Sequence, residues 1–250
     1  MRTAMMMVAL ALVSASAFSA GTSGYSMTVL VGDAPAREYS HDGTIYVEAL
    51  RGSDFAIRIT NPTPYRVAVA LSVDGLNTID ARHTDAWSAR KWVLDPWEST
   101  VISGWQVDEG NARRFFFTGE KRSYGAALGK IENLGVIEAV FYRERTWRRR
   151  ETNAAPRPMP APPAAAAGEG APESSKSGAL SDDYAATGMG ERDRHEVESV
   201  DIDLDPHPVA SARIRYEFRP QLVKLGVLLD HSPLGRRESA RGFEGFCPQP

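Results

Sequence analysis

The sequence is poor in cysteine, because Cys247 is the only cysteine among its 250 residues. An intramolecular disulfide needs two cysteines, so none can form within this chain. Small exported domains often depend on such bridges, whereas a chain of this length can bury a full hydrophobic core without them. We therefore expect a fold that its core stabilises, with Cys247 as an exposed thiol or a bridge to a partner.

Neither sign of charge dominates the chain. The 29 lysine and arginine residues stand against 32 aspartate and glutamate residues, which gives a net charge of −3. This near-equality of positive and negative charge does not indicate nucleic acid or an anionic membrane as the main partner. The basic residues between Arg143 and Arg150 follow a predicted strand, and we interpret them as a solvated flank.

The sequence has no hydrophobic run long enough to cross a bilayer, which takes about 20 apolar residues. Its apolar run from Ala4 to Val13 follows Arg2 and precedes Ala15-Ser16-Ala17, an A-x-A cleavage pattern. This arrangement is typical of a secretory signal peptide, with a buried N-terminal element as the alternative. We predict a signal peptide over residues 1–20, a periplasmic or secreted protein, and no transmembrane anchor once the leader is removed.

Familiar catalytic patterns are missing as well, since the chain contains no G-x-S-x-G, H-E-x-x-H or P-loop motif. Asp74, Asp80, His83 and Asp85 lie close together in sequence and are candidates for an acid–base set in a hydrolase or for a metal-binding set. Asp74 is better explained as the turn residue before Gly75. The sequence therefore favours a protein that is not an enzyme, with no catalytic residues assigned.

Alternating acidic residues near the C-terminus resemble a D-x-D-x-D calcium loop. They are Asp201, Asp203 and Asp205, followed by His207. A calcium loop needs a glycine-enabled turn that brings the carboxylates together, and this stretch has no glycine. We interpret the residues as the solvated face of a strand over Val197–Leu204, and predict no metal and no cofactor.

Short hydrophobic strands and tight turns are what the sequence does contain. Thr44–Leu50, Asp54–Thr60 and Tyr65–Val73 alternate in hydrophobicity and are separated by strong turn formers. Tyr65–Val73 is apolar or small on both faces, which predicts a central strand. Further strands are predicted at Met27–Val31, Lys91–Leu94, Ser99–Val107, Arg113–Thr118, Val136–Arg145 and Ala212–Phe218. The pattern predicts an all-β fold, an antiparallel β-sandwich or open barrel of about eight or nine strands.

Helix is expected in few places. Pro220 suits the first turn of a short C-terminal helix that continues through Leu225 and ends at Gly226. Residues 123–129 are predicted to form either one helical turn or a loop.

The composition divides the chain. Residues 151–190 hold 6 prolines, 11 alanines and 5 glycines, which predicts a disordered insertion. The few strands after it are too little for a separate domain. We predict one β domain made of residues 26–150 and 191–230, with a flexible tail over residues 231–250.

Four of the five tryptophans fall within 19 residues. Strand alternation predicts that Trp105 lies in the core and that Trp92 is packed, whereas Trp87 and Trp97 lie in loop sequence. Exposed indole faces can stack on sugar rings, with Arg90 and Glu98 as neighbouring hydrogen-bonding groups. Trp87 and Trp97 are therefore the predicted ligand-binding residues, and a core-covering role is the alternative.

Four segments of the chain resemble a group of bacterial proteins without an assigned activity. These segments are residues 69–82 (VALSVDGLNTIDAR), 91–105 (KWVLDPWESTVISGW), 135–145 (GVIEAVFYRER) and 212–228 (ARIRYEFRPQLVKLGVL). The resemblance implies a β-rich fold in a single discontinuous domain and carries over no catalytic residue.

Together these patterns favour a non-catalytic exported protein that acts in binding or assembly at the cell envelope, with a glycan or an envelope protein as candidate partners. The alternatives are a carbohydrate-binding module, a hydrolase that uses loop carboxylates around Asp80–Asp85, and a phage-like structural component.

Overall fold

The fold is a β-sandwich with little helix. The computed structural model describes residues 24–145 and 180–229. The strands in these ranges are β1 (Ser26–Val31), β2 (Ala34–Pro35), β3 (Glu38–His41), β4 (Thr44–Ala49), β5 (Asp54–Thr60), β6 (Val67–Val73), β7 (Leu76–Asn77), β8 (Trp92–Leu94), β9 (Ser99–Ile102), β10 (Gly104–Gln106), β11 (Asn111–Gly119), β12 (Val136–Glu144), β13 (Ala185–Arg194) and β14 (Leu204–Phe218). The α-helices are α1 (Tyr124–Ala127) and α2 (Arg219–Lys224).

The strands form two seven-stranded sheets. In the first sheet, β10, β11, β5, β1 and β2 are neighbours in that order, with β13 beside β11 and β9 beside β5. The second sheet follows the order β3, β4, β14, β12, β6 and β7, with β8 beside β6. Both strands that follow residue 180 thus pair with strands that precede residue 145, so each sheet contains chain from both described ranges.

Aromatic rings fill the space between the sheets. Phe55 and Phe117 of the first sheet stack with ring centroids 4.2 Å apart, and Phe117 lies 5.3 Å from Tyr216 of the second sheet. Tyr25 and Phe141 meet across the sandwich at 5.1 Å. Strand alternation directs these rings inward, because every second residue of a strand faces the same side.

The all-β sandwich with a short C-terminal helix is confirmed. β6 is buried on both faces and paired along both edges, as its apolar pattern predicts. Helix α2 begins beside Pro220, and Gly226 follows it with a φ of 75°. Residues 124–127 form a helical turn, which resolves the alternative that was open for that segment. None of the described helices has the length and apolar character needed to cross a membrane.

Several details of the predicted strands are wrong. β4 and β14 pair in parallel, whereas the other paired strands of the two sheets are antiparallel. The structure has more strands than predicted because several are only two to four residues long, and the strand expected over Ser99–Val107 is interrupted at Ser103. The strand expected over Val197–Leu204 does not form, since its backbone makes isolated contacts, such as Val197 N–H to the Glu109 carbonyl (2.8 Å), instead of a ladder.

The predicted disordered insertion extends too far. Residues 185–190 begin strand β13, and Ala185, Ala186 and Thr187 are buried. A Cβ at Gly188 would lie 2.3 Å from the ring of Phe116, so packing requires small residues here. The low apolar content that predicted disorder therefore reflects close packing in this part. The rest of the insertion up to residue 179, the predicted signal peptide over residues 1–20 and the predicted tail over residues 231–250, with Cys247, lie outside the described residues.

A buried polar network joins the two sheets at Asp74. One carboxylate oxygen accepts hydrogen bonds from the Gly135 N–H (2.8 Å) and the Tyr216 hydroxyl, and the other accepts from the Thr187 N–H (2.7 Å). The Thr187 and Tyr216 hydroxyls also pair at 2.7 Å. Asp74 has a φ of 53° and Gly75 one of 72°, which fits the type I′ turn that Asp-Gly predicts between β6 and β7. The sequence identifies the turn but not the burial of its carboxylate.

Candidate functional site

Trp97 is the most exposed of the described tryptophans, with 66% of its surface accessible. It is the third residue of a β-turn from Asp95 to Glu98, closed by the Glu98 N–H bonding to the Asp95 carbonyl (3.2 Å). Pro96 occupies the second position, and Trp97 has a φ of 62°, so the turn is type II. Glycine or asparagine normally fills that third position, and another residue there costs about 1–3 kcal/mol.

A buried asparagine fixes this turn. The Asn61 side chain is fully buried, and its amide donates to the carbonyls of Tyr65 (2.7 Å) and Asp95 (2.8 Å). Its oxygen accepts from the Thr63 N–H (3.1 Å) and hydroxyl (2.7 Å). Asn61 therefore ties loop 61–65 to turn 95–98, and the Trp97 N–H adds a bond to the Thr63 carbonyl (3.1 Å). The backbone under the exposed indole is thus held in place before any ligand arrives.

A second aromatic residue lies in the loop that Asn61 holds. Tyr65 is 39% exposed, and the guanidinium of Arg143 lies 3.5 Å from the centroid of its ring. Since a cation already covers one face of this ring, Tyr65 offers less stacking surface than Trp97. The sequence pattern does not mark Asn61 or Tyr65 as part of a site. The Asn-Pro-Thr-Pro sequence of residues 61–64 predicts a turn just before Tyr65, but it does not show that loop 61–65 meets turn 95–98.

Trp87 has a different environment from Trp97. Its ring is 45% exposed and stands edge-on to Tyr142, with centroids 5.4 Å apart. The Lys91 ammonium lies 5.3 Å from the Trp87 ring and 5.2 Å from that of Tyr142. Burial lowers the pKa of Lys91, while the charge of Asp85 acts in the opposite direction. Trp87 therefore covers the outer face of the second sheet and also leaves part of its ring accessible.

The other two clustered tryptophans are packed. Trp105 is buried in the core, and its indole N–H donates to the Gly188 carbonyl (3.2 Å). Trp92 is half-buried and donates to the Thr78 hydroxyl (2.9 Å). Strand alternation thus separated the two packed tryptophans from the two exposed ones.

The acidic and histidine side chains considered for a hydrolase each contact a different partner. Asp80 lies 3.9 Å from Arg90, Asp85 accepts from the Ser88 N–H (2.9 Å), and His83 Nδ1 pairs with the Gly75 carbonyl (2.9 Å). Asp74, the fourth member, is buried in the network between the sheets. These contacts do not place a base and an acid against one another.

The C-terminal acidic residues are likewise spread out. Asp205 accepts from the His207 N–H (3.0 Å), and Asp203 lies 3.7 Å from Arg145. In the described ranges no three histidine, cysteine, aspartate or glutamate side chains converge as a metal site would need.

Comparisons of the chain with protein-family models, with curated proteins and with solved structures give no significant match.

Proposed function

We propose that this protein is a non-catalytic binding protein of the cell envelope that uses Trp97 to hold a glycan. The observation that carries the proposal is the exposure of this indole on a backbone conformation that is costly for tryptophan. A strained residue persists where its surroundings enforce it, and such residues cluster at functional sites. Burial does not offset the cost, since two-thirds of the residue is accessible.

A sugar ring fits this surface because the indole presents a flat apolar face at a polar turn. Glu98 and Thr63 lie beside it in the same hydrogen-bonded assembly, and their side-chain oxygens can accept hydrogen bonds from sugar hydroxyl groups. Loops on a β-sandwich often carry binding residues, because the sheets hold the loops in place whatever the sequence of the loop. Trp87 is the second predicted contact, with Arg90 near it in sequence.

Export supports the same proposal from the sequence. A leader over residues 1–20 would deliver the chain to the periplasm or cell exterior, where polymeric glycans are abundant. Mass spectrometry of the protein recovered from the periplasm or medium tests it, and a product that retains Met1 in the cytoplasm contradicts export.

The decisive variant is Trp97→Gly. Glycine adopts a positive φ freely, so this change removes the indole and relieves the backbone at once. We expect a melting temperature equal to or above that of the wild type, together with loss of retention on insoluble polysaccharides such as peptidoglycan and chitin. Trp87→Ala is the comparison, and we expect a partial loss.

Two results would contradict the glycan proposal. Unchanged retention by Trp97→Gly would show that the indole does not bind the glycan. A large fall in its melting temperature would show that Trp97 stabilises the fold.

A further inference from the structure

A cleft lies on the outer face of the second sheet, on the side away from the core. Its floor is formed by β6, β12 and β14, and the segment from Arg82 to Ala89 lies above them. The cavity has a volume of about 220 Å³. Pockets for drug-sized ligands are about 300–1,000 Å³, so this one suits a smaller molecule.

The segment over the cleft is anchored by a buried residue. Asn77 donates from its side chain to the Arg90 carbonyl (2.8 Å) and accepts from the Ile79 N–H (2.8 Å). Its backbone N–H donates to the Arg82 carbonyl (3.0 Å), and its backbone carbonyl accepts from the Ala81 N–H (2.9 Å). The Lys130 ammonium also donates to the Ala81 carbonyl (2.9 Å). The cleft is therefore formed in advance and does not depend on a ligand to order it.

Positive charge exceeds negative charge in the lining. The lining includes Arg82, Arg213 and Arg215, and its acidic residue is Glu138. The Glu138 carboxylate forms an ion pair with the Arg213 guanidinium (2.8 Å). Within the described residues Arg215 forms no ion pair, although its charge acts to lower the pKa of Glu217, which burial raises, and its exposed side chain lines the cleft.

Histidine and apolar groups complete the lining. His83 uses Nδ1 to pair with the Gly75 carbonyl (2.9 Å), which orients the ring and leaves Nε2 for another partner. The carbon surface comes from Ala70, Val136 and Val140 on the sheet. Among the described residues, a ligand here would meet the Arg215 guanidinium at one position and hydrocarbon at another.

We propose that this cleft binds a small organic carboxylate, with its two oxygens on Arg215 and its carbon chain against Val136, the residue opposite Arg215 on the neighbouring strand. A planar carboxylate matches a guanidinium through two parallel hydrogen bonds. Inorganic phosphate fits less well, because its second charge would be repelled by Glu138 and because it has no apolar part for the wall. The inference does not rest on the glycan proposal, which concerns a different loop.

The test is calorimetric titration of the full chain with butyrate, with butyramide as the neutral isostere. We expect butyrate to bind and butyramide not to. Arg215→Gln should weaken butyrate binding about tenfold or more, the scale of a lost charge-assisted hydrogen bond. Glu138→Gln should strengthen binding, because it removes the acid and frees Arg213.

The matched control is Arg113→Gln. Arg113 is also an exposed strand arginine, but it lies in β11 of the other sheet and outside the cleft. We expect its affinity for butyrate to equal that of the wild type, and melting temperatures should show that all variants fold. Glucuronate in a parallel titration shows whether the carboxylate prefers a sugar or an aliphatic chain, and tighter binding of either supports the cleft.

Three results would overturn the inference. They are no heat with butyrate or glucuronate, equal loss in Arg113→Gln and Arg215→Gln, or inorganic phosphate binding at least as tightly as butyrate.

Discussion

Replacing Asp74 by asparagine should destabilise the protein, although the side chain keeps its shape. The two carboxylate oxygens accept from two different backbone groups, the Gly135 N–H (2.8 Å) and the Thr187 N–H (2.7 Å). Either orientation of an asparagine amide would place its NH2 group against one of them. One buried backbone donor then loses its acceptor and one new donor gains none. At about 1–3 kcal/mol for each buried unsatisfied group, the expected loss is about 2–6 kcal/mol.

This loss should depend on pH. Burial raises the pKa of Asp74 to about 7, although hydrogen bonds from Tyr216, Thr187 and Gly135 act to lower it. Because the pKa is raised, the folded state binds more protons than the unfolded state between about pH 4 and pH 7. The free energy of unfolding of the wild type therefore falls as pH rises through this window. Asparagine does not titrate, so the difference between variant and wild type should be larger at pH 5 than at pH 8.

The protonated carboxyl can keep all its partners at low pH. Its proton would point to the Tyr216 oxygen, while the Tyr216 hydroxyl turns to donate to Thr187, its partner at 2.7 Å. The backbone N–H groups of Gly135 and Thr187 would still bond to the two oxygens. Low pH therefore gives the cleanest comparison with asparagine.

Urea unfolding of both proteins, followed by tryptophan fluorescence at several pH values between 5 and 8, measures this effect. Asp42→Asn is the matched control, because Asp42-Gly43 forms the same kind of turn between β3 and β4, with a φ of 48° at Asp42, but its carboxylate is exposed. We expect a change within about 1 kcal/mol there, as for surface charges. Equal stability of Asp74→Asn and wild type at pH 5, or a difference that widens toward pH 8, would refute the reasoning.

Two further predictions concern stability. Both carboxylate oxygens of Glu38 are buried without a hydrogen-bond partner in the described ranges, and burial raises its pKa to about 7. Ionisation therefore costs stability as pH rises from about 4 to 7, and Glu38→Gln should raise the free energy of unfolding by about 1 kcal/mol at pH 8, with little change at pH 5 and none in the exposed control Glu191→Gln. A gain at pH 5 as large as at pH 8 would contradict this account. Gly104→Ala should cost about 1–3 kcal/mol in urea unfolding, because its Cβ would lie 2.0 Å from the Arg113 carbonyl oxygen. Gly110→Ala in the same hairpin, where the nearest atom is 3.8 Å away, should be nearly neutral, and equal effects of the two changes would show that the close approach is not what matters.

Local sequence determined most of the strands. Alternation in Asp54–Thr60 directs Phe55, Ile57 and Ile59 inward, and all three are buried. Asp74-Gly75 marks a two-residue hairpin turn, because few other pairs adopt positive φ at both positions. The same alternation separated the packed Trp92 and Trp105 from the exposed loop tryptophans. These features depend on residues that are neighbours in the chain, so they can be predicted from a single sequence.

Features that look equivalent in the local sequence have different environments, and the tertiary structure decides which of them are buried. Asp42-Gly43 and Asp74-Gly75 read alike in the sequence, yet only Asp74 is buried, because β13 and β14 bring Thr187 and Tyr216 onto it. Alanine and glycine in residues 185–190 predicted disorder, whereas Phe116 on the neighbouring strand requires their small size.

The candidate sites divide in the same way. Pro96-Trp97 signals a turn, and its position in loop sequence was enough to predict an exposed indole. The sequence does not show that Asn61 joins this turn to loop 61–65, because the two lie more than 30 residues apart and meet only when β6 pairs with β8. The cleft beside Arg215 depends on the pairing of β6, β12 and β14 and on the loop that Asn77 anchors over them. Long-range pairing leaves no local pattern, and so the strands could be predicted from the sequence while the neighbours that make a site could not.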